Sequence, residues 1–265
     1  MKEAPRTEPT FIRIARDGPL LWITIDRPEV RNALHPPAHR ELAAAFDAYE
    51  ADDSLRVAIL TASGDKAFCA GSDIKWRAQT NTDEYPPSGY AGLTHRLDNR
   101  KPVIAAVNGL ALGGGTEIVL ACDLAYAAEH AEFSLPEPRV GLAALGGGGL
   151  QRLARFLPLK QAMDLVLTGR RISAREAQEM HLINAVVPSA ELMAHVRAVA
   201  LTICENAPLA LECSKQVMLK SLAAPDLAAA LAMRFAAAER MLASDDAIEG
   251  QKAFVEKRAP VWQYR

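Results

Sequence analysis

The stretch Asn108-Gly-Leu-Ala-Leu-Gly-Gly-Gly-Thr-Glu117 decides how the fold is interpreted. It follows the apolar run 103–107 and leads into the apolar run 118–121, an order that predicts a strand, a glycine-rich turn and a helix. The start of such a helix leaves backbone N–H groups unpaired and attracts negative charge. Because glycines 113–115 carry no side chain, an oxygen atom of a bound molecule can approach those amides, with Glu117 one helical turn further on.

Two nucleotide-binding motifs do not fit this stretch. A P-loop that uses Gly109 and Gly114 would have Gly115 where the phosphate-binding lysine belongs. A dinucleotide fingerprint over 113–118 would have Ile118 in place of its third glycine. The glycines alone leave two interpretations equally open, an exposed-amide site or a turn that packs the helix closely on a sheet.

Length and charge limit the classes of protein that fit. A chain of 265 residues, half of them hydrophobic, accommodates one large α/β domain or such a domain with a smaller helical addition. The 30 lysines and arginines against 32 aspartates and glutamates give a formal charge of −2. Such a balance favours neither a nucleic-acid partner nor an anionic membrane.

The cysteines and the N-terminus bear on location. The four cysteines form no CxxC pair, which predicts free thiols in a reducing compartment. The first ten residues lack the apolar core of a signal peptide, and no apolar run reaches the length of a membrane span. We therefore expect a cytoplasmic protein.

Hydrophobic periodicity and turn residues predict alternating strands and helices up to residue 188. The predicted strands are residues 11–15, 20–25, 55–62, 103–107, 123–127 and 184–187, the first two joined as a hairpin. The predicted helices are 36–49, 92–100, 150–155 and 158–167, with a short one after the Ser173-x-x-Glu176 capping box.

Two groups of polar residues have competing interpretations. His35 and His39 have the spacing of a metal pair, but the two prolines between them and the lack of an acidic third ligand favour an ordinary helix start. Glu137 stands between Pro136 and Pro138, which predicts a carboxylate carried on stiff, extended backbone. It is either a positioned catalytic group or an ion-pair partner of Arg139.

The C-terminal quarter of the chain is predicted to be helical. Apolar residues recur at steps of three and four, which predicts helices over 189–204, 208–222, 226–243 and 245–257. We expect residues 1–188 to form the core with the binding site and residues 189–265 to form a helical region. That region is too apolar to be fully covered by its own chain, so contact with other subunits is favoured over a solvated monomer.

Taken together, the motifs resemble those of the crotonase family, also called the enoyl-CoA hydratase/isomerase family. The resemblance runs from about residue 11 to the C-terminus. The matching parts are Arg31-Asn-Ala-Leu34, Ala67-Phe-Cys-Ala-Gly-Ser-Asp-Ile74, Ala106-Val-Asn-Gly-Leu-Ala-Leu-Gly-Gly-Gly-Thr-Glu117, Asp123, Phe133-Ser-Leu-Pro-Glu137, Gly141 and Gln151-Arg-Leu153.

The resemblance implies an α/β fold in which repeated ββα units form a spiral, followed by a C-terminal helical region and assembly into homotrimers or hexamers. It also implies an acyl-CoA thioester as substrate, with coenzyme A as part of that substrate, no permanently bound cofactor and no metal. The thioester oxygen is expected between the backbone amides of Ala70 and Gly114. Such donors stabilise an enolate-like state more than the ground state.

The carboxylates select among the reactions of the family. Glu117 and Glu137 match the two glutamates with which the family's hydratases hold a water and move its protons. This favours an enoyl-CoA hydratase, a lyase, over an enoyl-CoA isomerase or another acyl-CoA reaction. A non-catalytic or RNA-associated scaffold is the distant alternative, which the lack of a basic surplus disfavours.

The remaining expectations concern substrate binding. The resemblance assigns coenzyme A to the backbone segments that contain Arg31, Ala33, Ala70, Gly71, Ser72, Asp73 and Ile74. Any phosphate contact from Arg27, Arg31, Lys75 or Lys257 competes with an ordinary solvated role. The segment 142–149 departs from the family's Pro-Gly-x-Gly-Gly pattern, has one residue more and contains no proline. We expect Leu142, Leu145 and Gly146 to line the acyl pocket.

Overall fold

The structure is a computed structural model that describes residues 9–82 and 84–265. Its strands are β1 Ile12–Asp17, β2 Leu20–Ile25, β3 Val57–Ala62, β4 Ala67–Cys69, β5 Val103–Val107, β6 Leu110–Leu112, β7 Leu124–Ala128, β8 Glu132–Ser134, β9 Ile172–Ser173 and β10 Ala185–Val187. Its α-helices are α1 Pro36–Ala51, α2 Ile74–Thr80, α3 Gly114–Ala121, α4 Gly149–Phe156, α5 Leu159–Thr168, α6 Ala174–Glu179, α7 Leu192–Cys204, α8 Pro208–Ser221, α9 Leu227–Ala232, α10 Ala236–Leu242 and α11 Asp245–Glu256. Short 3-10 turns lie at Pro28–Val30, Tyr90–Gly92 and Glu137–Val140.

The repeated ββα unit, which is not visible in the sequence, is visible in the topology. The pairs β3 and β4, β5 and β6, and β7 and β8 each give one strand to a six-stranded sheet and the next strand to a four-stranded sheet. The sheet orders are β1-β2-β3-β5-β7-β10 and β4-β6-β8-β9, and consecutive units pair in parallel in both sheets. The predicted α/β spiral is therefore confirmed.

The central strands are buried on both faces, as parallel strands usually are. In β3, Ala58 and Leu60 face the main core, whereas Val57 and Ile59 face the opposite side of the sheet. There α7 covers them with Leu192, Val196 and Ala200. The alternation follows from the two-residue period of a strand, so one short apolar run serves two hydrophobic layers.

Most predicted elements are confirmed. Strands β1 and β2 form the expected antiparallel hairpin, with Gly18 at φ +56° in its two-residue turn. Helix α1 begins at Pro36, and the Ser173 side chain accepts a hydrogen bond from the Glu176 amide at the start of α6. Proline at a first helical position and a capping box are local signals, which is why they are readable without tertiary information.

Three local predictions are wrong. Residues 92–100 form turns rather than a helix, because Ala91 and Gly92 take left-handed φ values of 53° and 61° and Gly92 is pressed against α1. The predicted helix 226–243 is interrupted between α9 and α10, where Met233 adopts extended backbone. Glu137 lies in a 3-10 turn rather than on extended backbone, since Pro136 has a ψ of 7°.

The helices after α7 leave many apolar side chains exposed. Large exposed side chains on α8 to α11 are Met218, Leu219, Leu227, Leu231, Leu242, Ile248, Phe254 and Val255. The chain end folds back on this region, where the Asp246 carboxylate accepts hydrogen bonds from the amides of Gln263 and Tyr264. Among the described residues, no helix has the length and apolar character that crossing a bilayer requires.

Candidate active site

The turn before α3 is fixed by one backbone hydrogen bond and leaves the next amide without an acceptor. Gly113 has a φ of +54°, and its N–H donates to the Ser134 carbonyl at 2.8 Å. Gly114 is the first residue of the helix, so its own amide has no acceptor within α3. No acceptor for it occurs elsewhere in the described chain.

Glycine is required here for packing as well as for access. A Cβ on Gly115 would stand 2.1 Å from the Cys69 carbonyl oxygen, and one on Gly114 would stand 2.3 Å from the Tyr90 ring. Both distances are too short for any side chain. The glycine run therefore serves both for close packing and for an exposed amide. The close packing brings the Gly114 amide beside residues 69–72.

The Ala70 amide is not free to bind the thioester oxygen, contrary to the expectation from the sequence. The Ala70 N–H donates to the Arg31 carbonyl at 3.1 Å, so it is already occupied. The amides of Leu34 and Asp73 bond across the same segment, to the carbonyls of Gly71 and Leu34. Over residues 9–82 and 84–265, the Ser72 amide has no hydrogen-bond acceptor. The geometry thus disfavours Ala70 as a donor to a bound molecule and leaves the Ser72 amide available.

Gly71 and Gly114 are close neighbours. A Cβ on Gly71, which has a φ of +92°, would lie 3.5 Å from the Gly114 nitrogen and 3.0 Å from the Leu112 carbonyl oxygen. The two amide-bearing segments predicted from sequence are therefore adjacent in space.

Glu117 is held by the glycine-rich loop 146–149. Its side chain is 3% exposed, with Oε2 accepting from the Gly147 amide at 2.9 Å and Oε1 from the Gly149 amide at 2.8 Å. Burial raises the pKa of Glu117, and the two amides act in the opposite direction because they stabilise the carboxylate. Arg152 fixes the loop by donating to the carbonyls of Gly147 and Thr94.

The carboxyl group of Glu137 lies beside Gly113. Its Oε1 is so close that a Cβ on Gly113 would stand 2.7 Å from it. Its Oε2 is buried and has no hydrogen-bond partner among the described residues. Burial, together with the negative charge of Glu117, raises the pKa of Glu137 to about 7. A carboxyl group with this pKa exchanges its proton readily near neutral pH.

The predicted coenzyme A segments are brought together, although not every cation is available. Arg27 is buried, donates to the Ala33 carbonyl and pairs with Asp73 at 3.0 Å. It therefore stiffens the segment and is not available to a phosphate. Arg31, Ile74 and Lys75 are exposed, and Arg31 has a left-handed φ of 54°.

The predicted acyl-pocket residues lie on the loop that follows Glu137. Leu142 is 48% exposed and Leu145 is 61% exposed, so neither contributes to the core. A Cβ on Gly146 would lie 3.5 Å from the Tyr85 hydroxyl, and the buried Ala144 packs against Gly149. The loop is thus adjacent to Glu117, while the acyl-lining role of its leucines stays a prediction.

The two histidines of α1 have structural surroundings. His39 accepts a hydrogen bond at Nδ1 from the Ala91 amide, and burial lowers its pKa to about 3. His35 is packed edge-on between Phe11 and Trp76, and burial lowers its pKa to about 4. In the part of the chain that the structure describes, no three potential metal ligands of the His, Cys, Asp or Glu type converge.

Comparison with known proteins agrees with this arrangement. Residues 16–265 match the family model described as enoyl-CoA hydratase/isomerase. The chain belongs to this family. A carnitinyl-CoA dehydratase from Salmonella typhi is 41% identical over 259 residues, which are 96% of this chain and 98% of that protein. The enoyl-CoA hydratase of Mycobacterium marinum superposes with a TM-score of 0.91 at 38% identity, covering 97% of this chain and all of that one. The enoyl-CoA hydratase of Mycobacterium tuberculosis superposes with a TM-score of 0.89 at the same identity and coverage.

Several groups in this crotonase-family site are absent from the sequence prediction. The sequence predicts no role for the Gly147 and Gly149 amides or for the Arg152 side chain that orders them. Tyr90, which packs on Gly114, lies in a segment with no recognisable motif. The contacts of the loop amides with Glu117 and of Arg152 with Thr94 join residues thirty or more positions apart, so no local sequence signal identifies them.

Proposed function

We propose that this crotonase-family protein is a hydratase or dehydratase, which adds water across the 2,3 double bond of an acyl-CoA thioester or removes it. The observation that carries the proposal is the pair of carboxyl groups, Glu117 and Glu137, around the turn at Gly113 and Gly114. One is held by backbone amides and the other has a raised pKa and an unpartnered oxygen. This is a suitable arrangement for activating water and delivering a proton.

The thioester carbonyl is proposed to bind between the backbone amides of Gly114 and Ser72. Both amides lack an internal acceptor, and Gly71 packs against Gly114. Ser72 replaces Ala70 in this assignment because the Ala70 amide is occupied by Arg31. Backbone donors fixed before the substrate arrives stabilise negative charge on the oxygen with little reorganisation.

In the hydration direction the water oxygen bonds to C3 while Glu117 takes one water proton. The π electrons of the double bond move toward the thioester carbonyl, and protonated Glu137 delivers its proton to C2. Dehydration follows the reverse path, in which ionised Glu137 removes the C2 proton, protonated Glu117 returns its proton to the C3 hydroxyl, and the C3–O bond breaks to release water. The two carboxyls act as a coupled pair and orient the water together.

A panel of thioesters tests the reaction class and the acyl chain. The assay compares hydration of crotonyl-CoA, double-bond migration in a 3-enoyl-CoA and dehydration of carnitinyl-CoA. The last is included because the Salmonella typhi relative is named for it. We expect water addition or loss with at least one member of the panel. Double-bond migration alone would support the isomerase alternative, and turnover of none with RNA binding at low salt would support a scaffold.

Gly147→Ala should impair this chemistry without replacing either carboxyl group. The added methyl would stand 2.6 Å from Glu117 Cβ and 2.9 Å from Oε2, which displaces the side chain from its loop amides. We expect kcat to fall by about 100-fold, the size of effect that a displacement of about 1 Å can cause. Gly146→Ala is the comparison, since its methyl makes an ordinary 3.5 Å contact and should have a much smaller effect. Equal kcat values for the two variants would contradict this role of the loop.

The assembly is proposed to be a homotrimer or a dimer of trimers, with no permanently bound cofactor and a cytoplasmic location. Support for self-association comes from the exposed apolar side chains of α8 to α11. The division into a core of residues 1–188 and a helical region of 189–265 stays a proposal, in which α7 is the element that covers the six-stranded sheet. Light scattering coupled to gel filtration measures the subunit number.

A further inference from the structure

Tyr90 carries an unsatisfied buried hydroxyl at the proposed thioester site. The residue is 1% exposed, and its hydroxyl has no hydrogen-bond partner among the residues that the structure describes. A Cβ on Gly114 would lie 2.3 Å from its Cζ and 2.6 Å from its oxygen, so the phenol lies directly against the helix start. Buried hydroxyl groups without partners are rare in folded proteins and require a reason.

The segment that carries Tyr90 is held in an unfavourable backbone conformation. The next residue, Ala91, has a φ of 53°, in the left-handed region that non-glycine residues avoid. The Ala91 amide donates to Nδ1 of the neutral His39, and Gly92 is so close to Ala43 that a Cβ would stand 2.4 Å away. Strained backbone persists where the surrounding structure fixes it, and it is concentrated at functional sites.

The ring is also fixed from its sides. Tyr90 contacts His39 edge-on with ring centroids 4.5 Å apart, and its centroid is 5.6 Å from that of Tyr85. The hydroxyl therefore lies against Gly114 and near the side chains of Cys69 and Ser72, and it meets neither side chain with hydrogen-bond geometry. Burial raises the pKa of Tyr90 well above its ordinary value, so the phenol stays protonated and keeps a hydrogen to donate.

We propose that Tyr90 is a further catalytic residue, whose hydroxyl donates a hydrogen bond to the thioester oxygen beside the amides of Gly114 and Ser72. This inference rests on the proposed function, because it requires the thioester oxygen at that place. The substrate then supplies the acceptor that the folded chain lacks. A side-chain donor that is unpaired before binding becomes stronger as charge develops on the oxygen.

The test is Tyr90→Phe, which keeps the ring and removes only the hydroxyl. Removing one donor of this kind costs on the order of 100-fold in kcat. With two backbone amides left, we expect the turnover of crotonyl-CoA, or of whichever panel substrate the enzyme prefers, to fall by about 10-fold to 100-fold. The melting temperature should stay equal or rise, since an unsatisfied buried group is lost.

Tyr49→Phe is the matched control. The Tyr49 side chain is also fully buried, but its hydroxyl donates to the carbonyls of Pro102 and Arg56 at 2.7 and 3.2 Å. We expect the opposite pattern in this variant, namely a lower melting temperature with turnover per folded enzyme retained. Lower turnover with equal or higher stability in Tyr90→Phe separates a catalytic role from a structural one.

A spectroscopic measurement distinguishes a direct donor from a residue that only positions Gly114. Isotope-edited infrared spectra would follow the ¹³C=O stretch of crotonyl-CoA bound to two slow proteins. These are the variant Glu137→Gln and the double variant Glu137→Gln/Tyr90→Phe. We expect a shift to lower frequency that is smaller without the hydroxyl. A shift that is unchanged by Tyr90→Phe overturns the inference whatever happens to turnover. No shift in either protein overturns the proposed function itself.

Discussion

Glu137→Gln is expected to lower kcat by about 10² to 10⁴-fold, the usual contribution of a positioned acid or base. Glutamine matches the size of the side chain but neither gives nor takes the C2 proton. Thioester binding should persist, because the proposed donors to the carbonyl are elsewhere. Full activity would remove Glu137 from the mechanism, and loss of thioester binding would show that the variant disturbs the site as a whole.

The pH dependence provides a second measurement on the same residue. Burial and the charge of Glu117 raise the pKa of Glu137 to about 7. Hydration requires the protonated acid, so its rate should fall as pH rises through about 7. Dehydration starts from the same singly protonated pair, with the proton on Glu117 instead, so its kcat/KM should fall over the same interval. The residual activity of Glu137→Gln should show neither of these changes of rate with pH.

Glu137→Gln should gain stability although it loses activity. The pKa of Glu137 lies above the ordinary value of 4.5, so the folded protein binds this proton more tightly than the unfolded chain does. The carboxyl group therefore destabilises the fold progressively as pH rises from about 4.5 through about 7. Glu137→Gln should accordingly melt at a higher temperature than the wild type at pH 8 and close to it at pH 4. A lower melting temperature at pH 8 would contradict the burial argument.

Glu117→Gln is expected to reduce kcat by a similar factor for two reasons. The variant loses the base that takes the water proton, and it also presents a side-chain NH₂ to a loop that offers two N–H donors, those of Gly147 and Gly149. One loop hydrogen bond is then replaced by a contact between donors, which leaves a buried amide unpaired. We therefore expect increased hydrogen exchange at residues 146–149 together with the loss of activity. Activity near that of the wild type would contradict the assignment.

The double variant Glu117→Gln/Glu137→Gln is informative because the two carboxyls share one water in the proposed mechanism. Residues that act as a unit have effects that do not add. We expect the double variant to be only slightly slower than the slower single variant. Multiplied losses would indicate two independent functions.

The proposed catalytic positions could be chosen from sequence because their signals are local. The glycine run, the proline-flanked Glu137 and the segment 67–74 lie in short motifs whose order matches one family. Local signals also predicted the hairpin, α1 and the cap of α6. The ββα repeat was not visible, since it exists as strand order in two sheets and not as similarity between residues.

The missed features depend on contacts between distant parts of the chain. The occupation of the Ala70 amide by Arg31 follows from how two segments pair, and motif position cannot reveal it. Tyr90 reaches Gly114 only because His39 and Ala43 hold its segment in a left-handed turn. The same turn explains why residues 92–100 do not form the predicted helix.

The proposed acyl-CoA hydratase or dehydratase reaction is tested most directly by running it in isotopically labelled water. The active panel substrate would be equilibrated in H₂¹⁸O and, separately, in D₂O, and the hydroxyacyl-CoA analysed by mass spectrometry. Water addition predicts ¹⁸O on C3 and deuterium on C2. Glu137→Gln should incorporate neither label in the time that the wild type needs to incorporate both. Conversion of an enoyl-CoA without incorporation of ¹⁸O would contradict the account.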